Sequence, residues 1–94
     1  MLKLQDQALW VMGKIDFDNA EAYYQKGLAL LQTQSFPLVV NLSQLEQGNT
    51  LALAVLIRWL RQTPQAQGLQ FQAVPEKMLK IIQACHLQHD LQLI

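Results

Sequence analysis

The chain has 94 residues, of which 51% are apolar and only 15% are charged, and its formal net charge at pH 7 is zero. This length suits a single domain, residues 1–94, with one modest core. Balanced charge disfavours nucleic acid as a partner, because phosphate binding requires Lys and Arg gathered in excess on one face. A neutral, lightly charged surface instead favours association with another protein.

The cysteine content, the first ten residues and the longest apolar run all bear on the location of the protein, and together they predict a cytoplasmic soluble domain. Cys85 is the only cysteine, so a disulfide within the chain is excluded, which fits a reducing compartment. The first ten residues contain no continuous apolar run, and we expect no secretory signal there. The longest apolar run, Leu51 to Ile57, is far shorter than the ~18 residues of a membrane span. We therefore expect no direct membrane insertion.

The first third of the chain predicts paired strands followed by a helix. Apolar residues alternate with polar or small ones in KLQDQALWV, residues 3–11, as in strands with one buried face. Gly13 ends this pattern. Asp18 followed by Glu21 then has the spacing of a capping box, which predicts that a first helix begins there.

The middle of the chain predicts a buried strand and an unusually apolar helix. PLVVNL, residues 37–42, is rich in β-branched residues and does not alternate, which is typical of a central strand buried on both faces. A polar loop leads to a helix from about Asn49 to Gln62, which Pro64 is expected to stop. The strictly alternating LQFQAV, residues 69–74, then predicts another strand.

The end of the chain completes an alternating pattern. Pro75 suits the first position of a third helix, and LQLI, residues 91–94, predicts an edge strand. The third helix carries a predicted apolar stripe of Met78, Ile81, Ile82 and Cys85. Strands alternating with helices predict an α/β fold, in which about three helices pack on a mixed, mostly parallel sheet.

The apolar helix poses the main functional question, because it has more apolar residues than one packed face needs. At 100° per residue, one broad arc suits packing on a sheet. This arc contains Ala52, Leu53, Leu56, Ile57, Trp59 and Leu60. Outside it, Leu51, Val55, Arg58 and Gln62 form one row, which is either a docking face for a partner or is covered by the chain itself.

Asn49 and Thr50 lie where this helix begins. Either side chain can accept a hydrogen bond from the free backbone N–H groups, so the simplest interpretation is an N-cap, worth about 1 kcal/mol. A threonine hydroxyl at a helix N-terminus is also suited to phosphorylation, because the helix dipole stabilises the added charge.

Several segments together resemble the STAS domain family. VVNLSQLE, then GNT, then LALAVLIRWL follow the family's order of strand, Asp-Leu-Ser, short loop and an Asp-Ser-Ser-Gly-Leu segment that opens a helix. The segment MGKID is similar to the Gly-Glu-Leu-Asp before the family's first helix. This resemblance covers almost the whole chain and implies the fold of anti-sigma factor antagonists.

The sequence departs from the STAS pattern at the phosphorylation motif. Asn41 and Asn49 stand where the family has aspartates, and Leu51 and Ala52 replace small residues. Thr50 occupies the phosphoacceptor position and keeps its hydroxyl. The region that a kinase would bind is therefore neutral and bulkier, which disfavours a phosphorylation cycle but not constitutive docking.

Within the family, the short length and the last third of the chain resemble the cytoplasmic STAS subunit of bacterial phospholipid-transporting ABC complexes. That resemblance implies a non-catalytic role in outer-membrane lipid asymmetry, at the inner membrane of Gram-negative cells. The implied partner is the ATPase subunit, in a complex with permease and substrate-binding subunits. The expected partner-binding residues are Asn49, Thr50, Leu51, Val55 and Arg58. The alternative is a phosphorylation-switched anti-sigma factor antagonist.

Residues that suggest enzymatic chemistry have simpler interpretations, and we predict no catalytic residue, cofactor or metal. His86, His89, Cys85 and Asp90 lack a second ligand pair at zinc-like spacing, so surface histidines and a buried cysteine are expected. Asp16 and Asp18 are interpreted as strand-ending and helix-capping residues. The four glycines are isolated, unlike those of a phosphate-binding loop. The expected half-buried or core aromatics are Trp10, Trp59, Tyr23 and Tyr24.

Overall fold

The structure is a computed structural model that describes residues 1–63 and 68–94. Pro64, expected to end the apolar helix, lies outside the described residues. The elements, in chain order, are β1 Leu2–Gln5, β2 Ala8–Val11, β3 Gly13–Lys14, α1 Ala20–Leu31, β4 Leu38–Asn41, β5 Leu45–Glu46, α2 Thr50–Arg61, β6 Leu69–Gln72, α3 Glu76–Ala84 and β7 Gln92–Leu93.

The main sheet has five strands in the order β1-β2-β4-β6-β7. The β1–β2 pair is antiparallel, whereas β2–β4, β4–β6 and β6–β7 are parallel. Short strands β3 and β5 form a separate parallel pair. The predicted mixed, mostly parallel sheet with a central PLVVNL strand and an LQLI edge strand is therefore confirmed.

One face of the main sheet carries the core. Leu9, Val40 and Phe71 lie on neighbouring strands and are almost completely buried, and they join the buried helix residues in one hydrophobic cluster. Val39 points to the opposite face of the same central strand and remains partly exposed. The expected burial on both faces therefore holds only in part: Asn41, on the same face as Val39, is buried, whereas Val39 is partly exposed.

The turn between β1 and β2 is strained in a way that a substitution can relieve. Its two central residues, Asp6 and Gln7, both have positive φ angles, 55° and 61°, as tight antiparallel turns of type I′ require. Glycine adopts this conformation without the steric cost of a side chain. We expect Gln7→Gly to raise the free energy of unfolding by about 1 kcal/mol, measured by urea denaturation, with Gln5→Gly as a control that is destabilising.

Helices α1 and α2 pack closely because a glycine faces a tryptophan. A Cβ atom on Gly27 would lie only 2.1 Å from Cζ2 of Trp59, so the indole ring occupies the space of the missing side chain. The Trp59 indole N–H donates to the carbonyl oxygen of Tyr24 at 3.0 Å within the core. This confirms the core assignment of Trp59 and fixes α2 against α1.

The start of α1 differs from the predicted capping box. The N-cap residue is Asn19, and the carboxylate that accepts hydrogen bonds from the backbone is that of Asp16, from the N–H groups of Asp18 and Asn19 at 2.9 and 3.1 Å. Glu21 does not reach back to a cap and instead pairs with Arg58. Asp16 rather than Asp18 therefore orders this turn.

The third helix begins at Glu76, with Pro75 at its N-cap. Met78 and Ile82 are buried as predicted, and Ile81 is partly buried. Cys85 is exposed at the end of the helix, so the expectation of a buried cysteine was wrong. The reason is that Cys85 is the C-cap, where the helix leaves the core.

In residues 1–63 and 68–94, no helix is long and apolar enough to span a membrane.

Candidate docking surface

The candidate surface is built around the first turn of α2. Asn49 is the N-cap: its backbone is extended, and its Oδ1 accepts from the N–H of Ala52 at 2.8 Å. Its Nδ2 donates to the carbonyl oxygen of Ile15 at 3.0 Å, which joins the helix start to the loop after β3. Asn49 is therefore the capping residue. The adjacent Thr50 occupies the first helical position and is exposed.

Removing this cap should cost more than removing an ordinary N-cap. Asn49→Ala would leave both the N–H of Ala52 and the carbonyl of Ile15 without their partner. We expect a loss of about 1–2 kcal/mol in the free energy of unfolding, measured by chemical denaturation. Thr50→Ala is the matched control and should change stability by less than about 0.5 kcal/mol; equal losses from the two variants would contradict the assignment of the cap.

The outward side of α2 differs from the predicted aliphatic row. Val55 is only 2% exposed and belongs to the core, and Leu51 is partly buried against it. The exposed residues of α2 are Thr50, Ala54 and Arg58, which are spaced one turn apart, together with Arg61. The expectation of an exposed Leu51–Val55 row was therefore wrong, since α2 packs against both α1 and α3 as well as contributing to the sheet core.

Arg58 is held in place by residues of α1. Its Nη1 lies 2.8 Å from Oε2 of Glu21, and its guanidinium lies 3.6 Å from the centre of the Tyr24 ring. Hydrogen bonds from Arg58 and then Gln25 lower the pKa of the Glu21 carboxyl, and the same bond to Glu21 raises the pKa of Arg58. The Arg58 side chain is 45% exposed, so a fixed positive charge borders the helix face.

Asn41 lies at the end of the central strand and is a buried polar residue, only 9% exposed. Its Oδ1 accepts from the N–H of Ser43 at 2.9 Å, and its Nδ2 donates to Oε1 of Gln72 at 3.1 Å. This neutral side chain orders the loop that follows β4, because its uncharged amide makes both of these hydrogen bonds.

One exposed residue near this surface was not predicted from the sequence. Phe17 is 89% exposed in the loop between β3 and α1, two positions after the Ile15 carbonyl that binds Asn49. The available signal was a large aromatic residue between two aspartates, in the order Asp16, Phe17, Asp18, where a core residue is not expected.

The residues considered for metal binding are not brought together. In the described parts of the chain, no three or more His, Cys, Asp or Glu residues are placed to hold a metal ion. Cys85, His86, His89 and Asp90 lie exposed around the end of α3.

Comparisons with known proteins identify the family. Residues 2–94 match the family model described as "Mlab, STAS domain". A chain of the Acinetobacter MlaFEDB complex in an ATP-bound conformation, Vtrans2, is 67% identical, with a TM-score of 0.93 over 100% of this chain and 99% of that chain. In the Vtrans1 conformation the values are 68% identity and 0.89, over 96% of each chain.

A more distant structure shares the fold alone. An anti-sigma factor antagonist from Mycobacterium paratuberculosis is 23% identical, with a TM-score of 0.78 over 99% of this chain and 81% of that chain. A search of curated proteins returned no match. The family match and the two Acinetobacter structures confirm the resemblance found in the sequence: the chain belongs to the MlaB family of STAS domains.

Proposed function

We propose that this chain is the STAS subunit of a phospholipid-transporting ABC complex of the MlaFEDB type and that it binds the MlaF-like ATPase subunit. The single observation that carries this proposal is the match over the whole chain, at 67% identity, to a chain of the Acinetobacter MlaFEDB complex. The other subunits of such a complex are the permease and the substrate-binding protein. In this assembly the domain lies at the cytoplasmic side of the inner membrane.

The proposed contact surface is the start of α2. Thr50, Ala54 and Arg58 would meet the ATPase directly, together with the exposed part of Leu51. Of the two other residues expected there, Asn49 holds the first turn in place and Val55 fixes the helix in the core. These two residues would therefore support the surface rather than contact the partner.

The proposed mechanism is differential binding. A domain that binds the assembled, active ATPase more tightly than the free subunit shifts the equilibrium towards assembly, by an amount set by that difference in affinity. The domain itself would do no chemistry, and its own residues would not hydrolyse ATP. Binding alone would then sustain transport.

A phosphorylation switch at Thr50 was the alternative. The likeness to an anti-sigma factor antagonist is 23% in sequence, and it shows the fold without supporting that function. The candidate phosphoacceptor Thr50 is exposed, so this alternative can be tested on the protein directly. Intact-mass measurement of the domain purified from its own cells would reveal a phosphate.

The exposed alanine of α2 offers the cleanest test of the surface. Ala54→Arg adds bulk and charge to an exposed helix position, where substitutions normally leave stability unchanged. We expect loss of co-purification with the ATPase subunit and a fall in ATP turnover of the reconstituted complex. Ala84→Arg, at an exposed position near the end of α3, is the matched control and should behave as wild type. Normal assembly of the Ala54→Arg complex would overturn the proposed surface.

A further inference from the structure

The exposed aromatic side chain of Phe17 is the strongest unexplained feature of the described surface. Within residues 1–63 and 68–94, the other exposed large hydrophobic residues are the two terminal ones, Met1 and Ile94. An internal phenylalanine that is 89% exposed contributes almost no hydrophobic free energy to folding, since most of its apolar surface stays in water. Aromatic residues are enriched in protein interfaces, where a partner buries such surface.

The turn that carries Phe17 is held by a reciprocal set of hydrogen bonds. Oδ1 of Asp16 accepts from the N–H groups of Asp18 and Asn19, and Oδ1 of Asn19 accepts from the N–H of Asp16 at 2.8 Å. Nδ2 of Asn19 also donates to the carbonyl of Lys14 at 2.8 Å. The backbone on both sides of Phe17 is thus fixed, so little conformational entropy of the loop is lost when a partner binds.

Phe17 lies close enough to the start of α2 to share one interface with it. Its Cα is within about 7.6 Å of that of Ile15, because consecutive Cα atoms are ~3.8 Å apart. The carbonyl of Ile15 is hydrogen-bonded to the side chain of Asn49 at 3.0 Å. A standard protein interface covers about 800 Å² per partner, a patch ~30 Å across. Phe17 and Thr50 therefore fit within a single patch of this size.

The charges beside Phe17 indicate what kind of surface covers it. Asp16 and Asp18 flank Phe17 in the sequence, and residues 15–19 contain neither Lys nor Arg; with the exposed Lys14 that precedes the turn, the segment still carries more acidic than basic residues. Protein segments that bind membrane surfaces are rich in Lys and Arg because bacterial and cytoplasmic-leaflet lipids are anionic. An acidic turn with one aromatic residue instead complements an apolar pocket of a protein with basic residues around it.

From this geometry we propose that Phe17 is a hydrophobic anchor that inserts into an apolar pocket of the ATPase subunit, with basic residues at the rim of that pocket facing Asp16 and Asp18. This inference rests on the proposed function and extends its surface from α2 to the turn before α1. The interface then has two parts on this chain: the exposed face of α2 and the Phe17 turn, joined by the hydrogen bond between Asn49 and Ile15.

The test is a calorimetric titration of the purified domain into the cognate ATPase subunit. Phe17→Ala should raise the Kd about 10- to 100-fold, whereas Phe17→Leu, which keeps an apolar side chain, should raise it less. Ile94→Ala, at the other exposed apolar position, is the control and should bind as wild type. Thermal unfolding of all three variants should match wild type, which shows that the loss comes from the interface.

Asp18→Asn tests the charged rim, and it should flatten the dependence of the Kd on salt concentration. Wild-type affinity of Phe17→Ala, while Ala54→Arg is impaired, would overturn this inference and leave the proposed function standing; wild-type affinity of both would overturn the proposed surface. The inference would also be overturned if Phe17→Ala kept its affinity for the ATPase but lost binding to vesicles of phosphatidylglycerol and phosphatidylethanolamine.

Discussion

Gly27→Ala should lower the free energy of unfolding by about 3 kcal/mol, although alanine is the better helix former by ~1 kcal/mol. The added Cβ would lie 2.1 Å from Cζ2 of Trp59, a distance at which one of the two groups must move. Trp59 is fully buried and donates a hydrogen bond to the carbonyl of Tyr24, so a shift of the ring would break that bond. Either the ring leaves this position or the helices separate, and both loosen the α1–α2 contact. Urea denaturation gives this difference directly.

A double-mutant cycle separates this clash from other effects of the substitution. Trp59→Phe removes part of the ring near Gly27 and should itself destabilise the protein, because the carbonyl of Tyr24 loses its donor. If the clash causes the loss, the double variant should be more stable than the sum of the single losses by about 1 kcal/mol or more. Additive losses would contradict the proposed contact between Gly27 and Trp59.

Val55→Asp should be the most destabilising charged substitution on the predicted row. Val55 is 2% exposed and lies in the core cluster, so the carboxylate would be buried without a partner. Burying a charge without a partner costs about 3–5 kcal/mol. This is a large share of the free energy of unfolding of a typical domain, roughly 5–15 kcal/mol. Circular dichroism and thermal unfolding measure this loss.

Ala54→Asp is the matched comparison, since the neighbouring residue on the same helix is exposed. It should remain folded, with an unfolding free energy within about 1 kcal/mol of wild type. A Val55→Asp variant with wild-type stability would mean that this side chain faces solvent, as the sequence pattern first suggested. Loss of ATPase binding in Val55→Asp would therefore not show where the interface lies, because this substitution disturbs the core. Loss of binding in Ala54→Asp, which should remain folded, would place Ala54 in the interface.

The sequence predicted the fold well where one physical rule dominated. The alternation and β-branched runs predicted the strands, and their alternation with helices predicted the mostly parallel sheet. Trp59 was placed in the core from helical spacing, and Asn49 was one of two residues considered for the N-cap. In these cases the local pattern and the packing lead to the same result.

The candidate surface was harder to predict because it depends on how many neighbours cover a helix. Helical spacing gives the angle of Val55 around α2 but not the width of the covered arc, and contacts with α1 and α3 widen it. Asp16 and Asp18 both precede α1, so composition does not show which carboxylate accepts the backbone N–H groups. The exposure of Phe17 likewise depends on the turn that Asp16 and Asn19 form.

Hydrogen–deuterium exchange of this domain, alone and bound to the cognate ATPase subunit, tests the central claim most directly. The amides of Thr50 and Leu51, in the first turn of α2, have no intrahelical acceptor and exchange readily in the free domain, whereas the Ala52 amide is already bound by the Asn49 side chain. We predict slower exchange in the complex for peptides that cover Thr50 to Ala54 and Asp16 to Asn19, with no change around Ala84. Protection confined to α3 and β7, with none at the start of α2, would contradict the proposed docking surface.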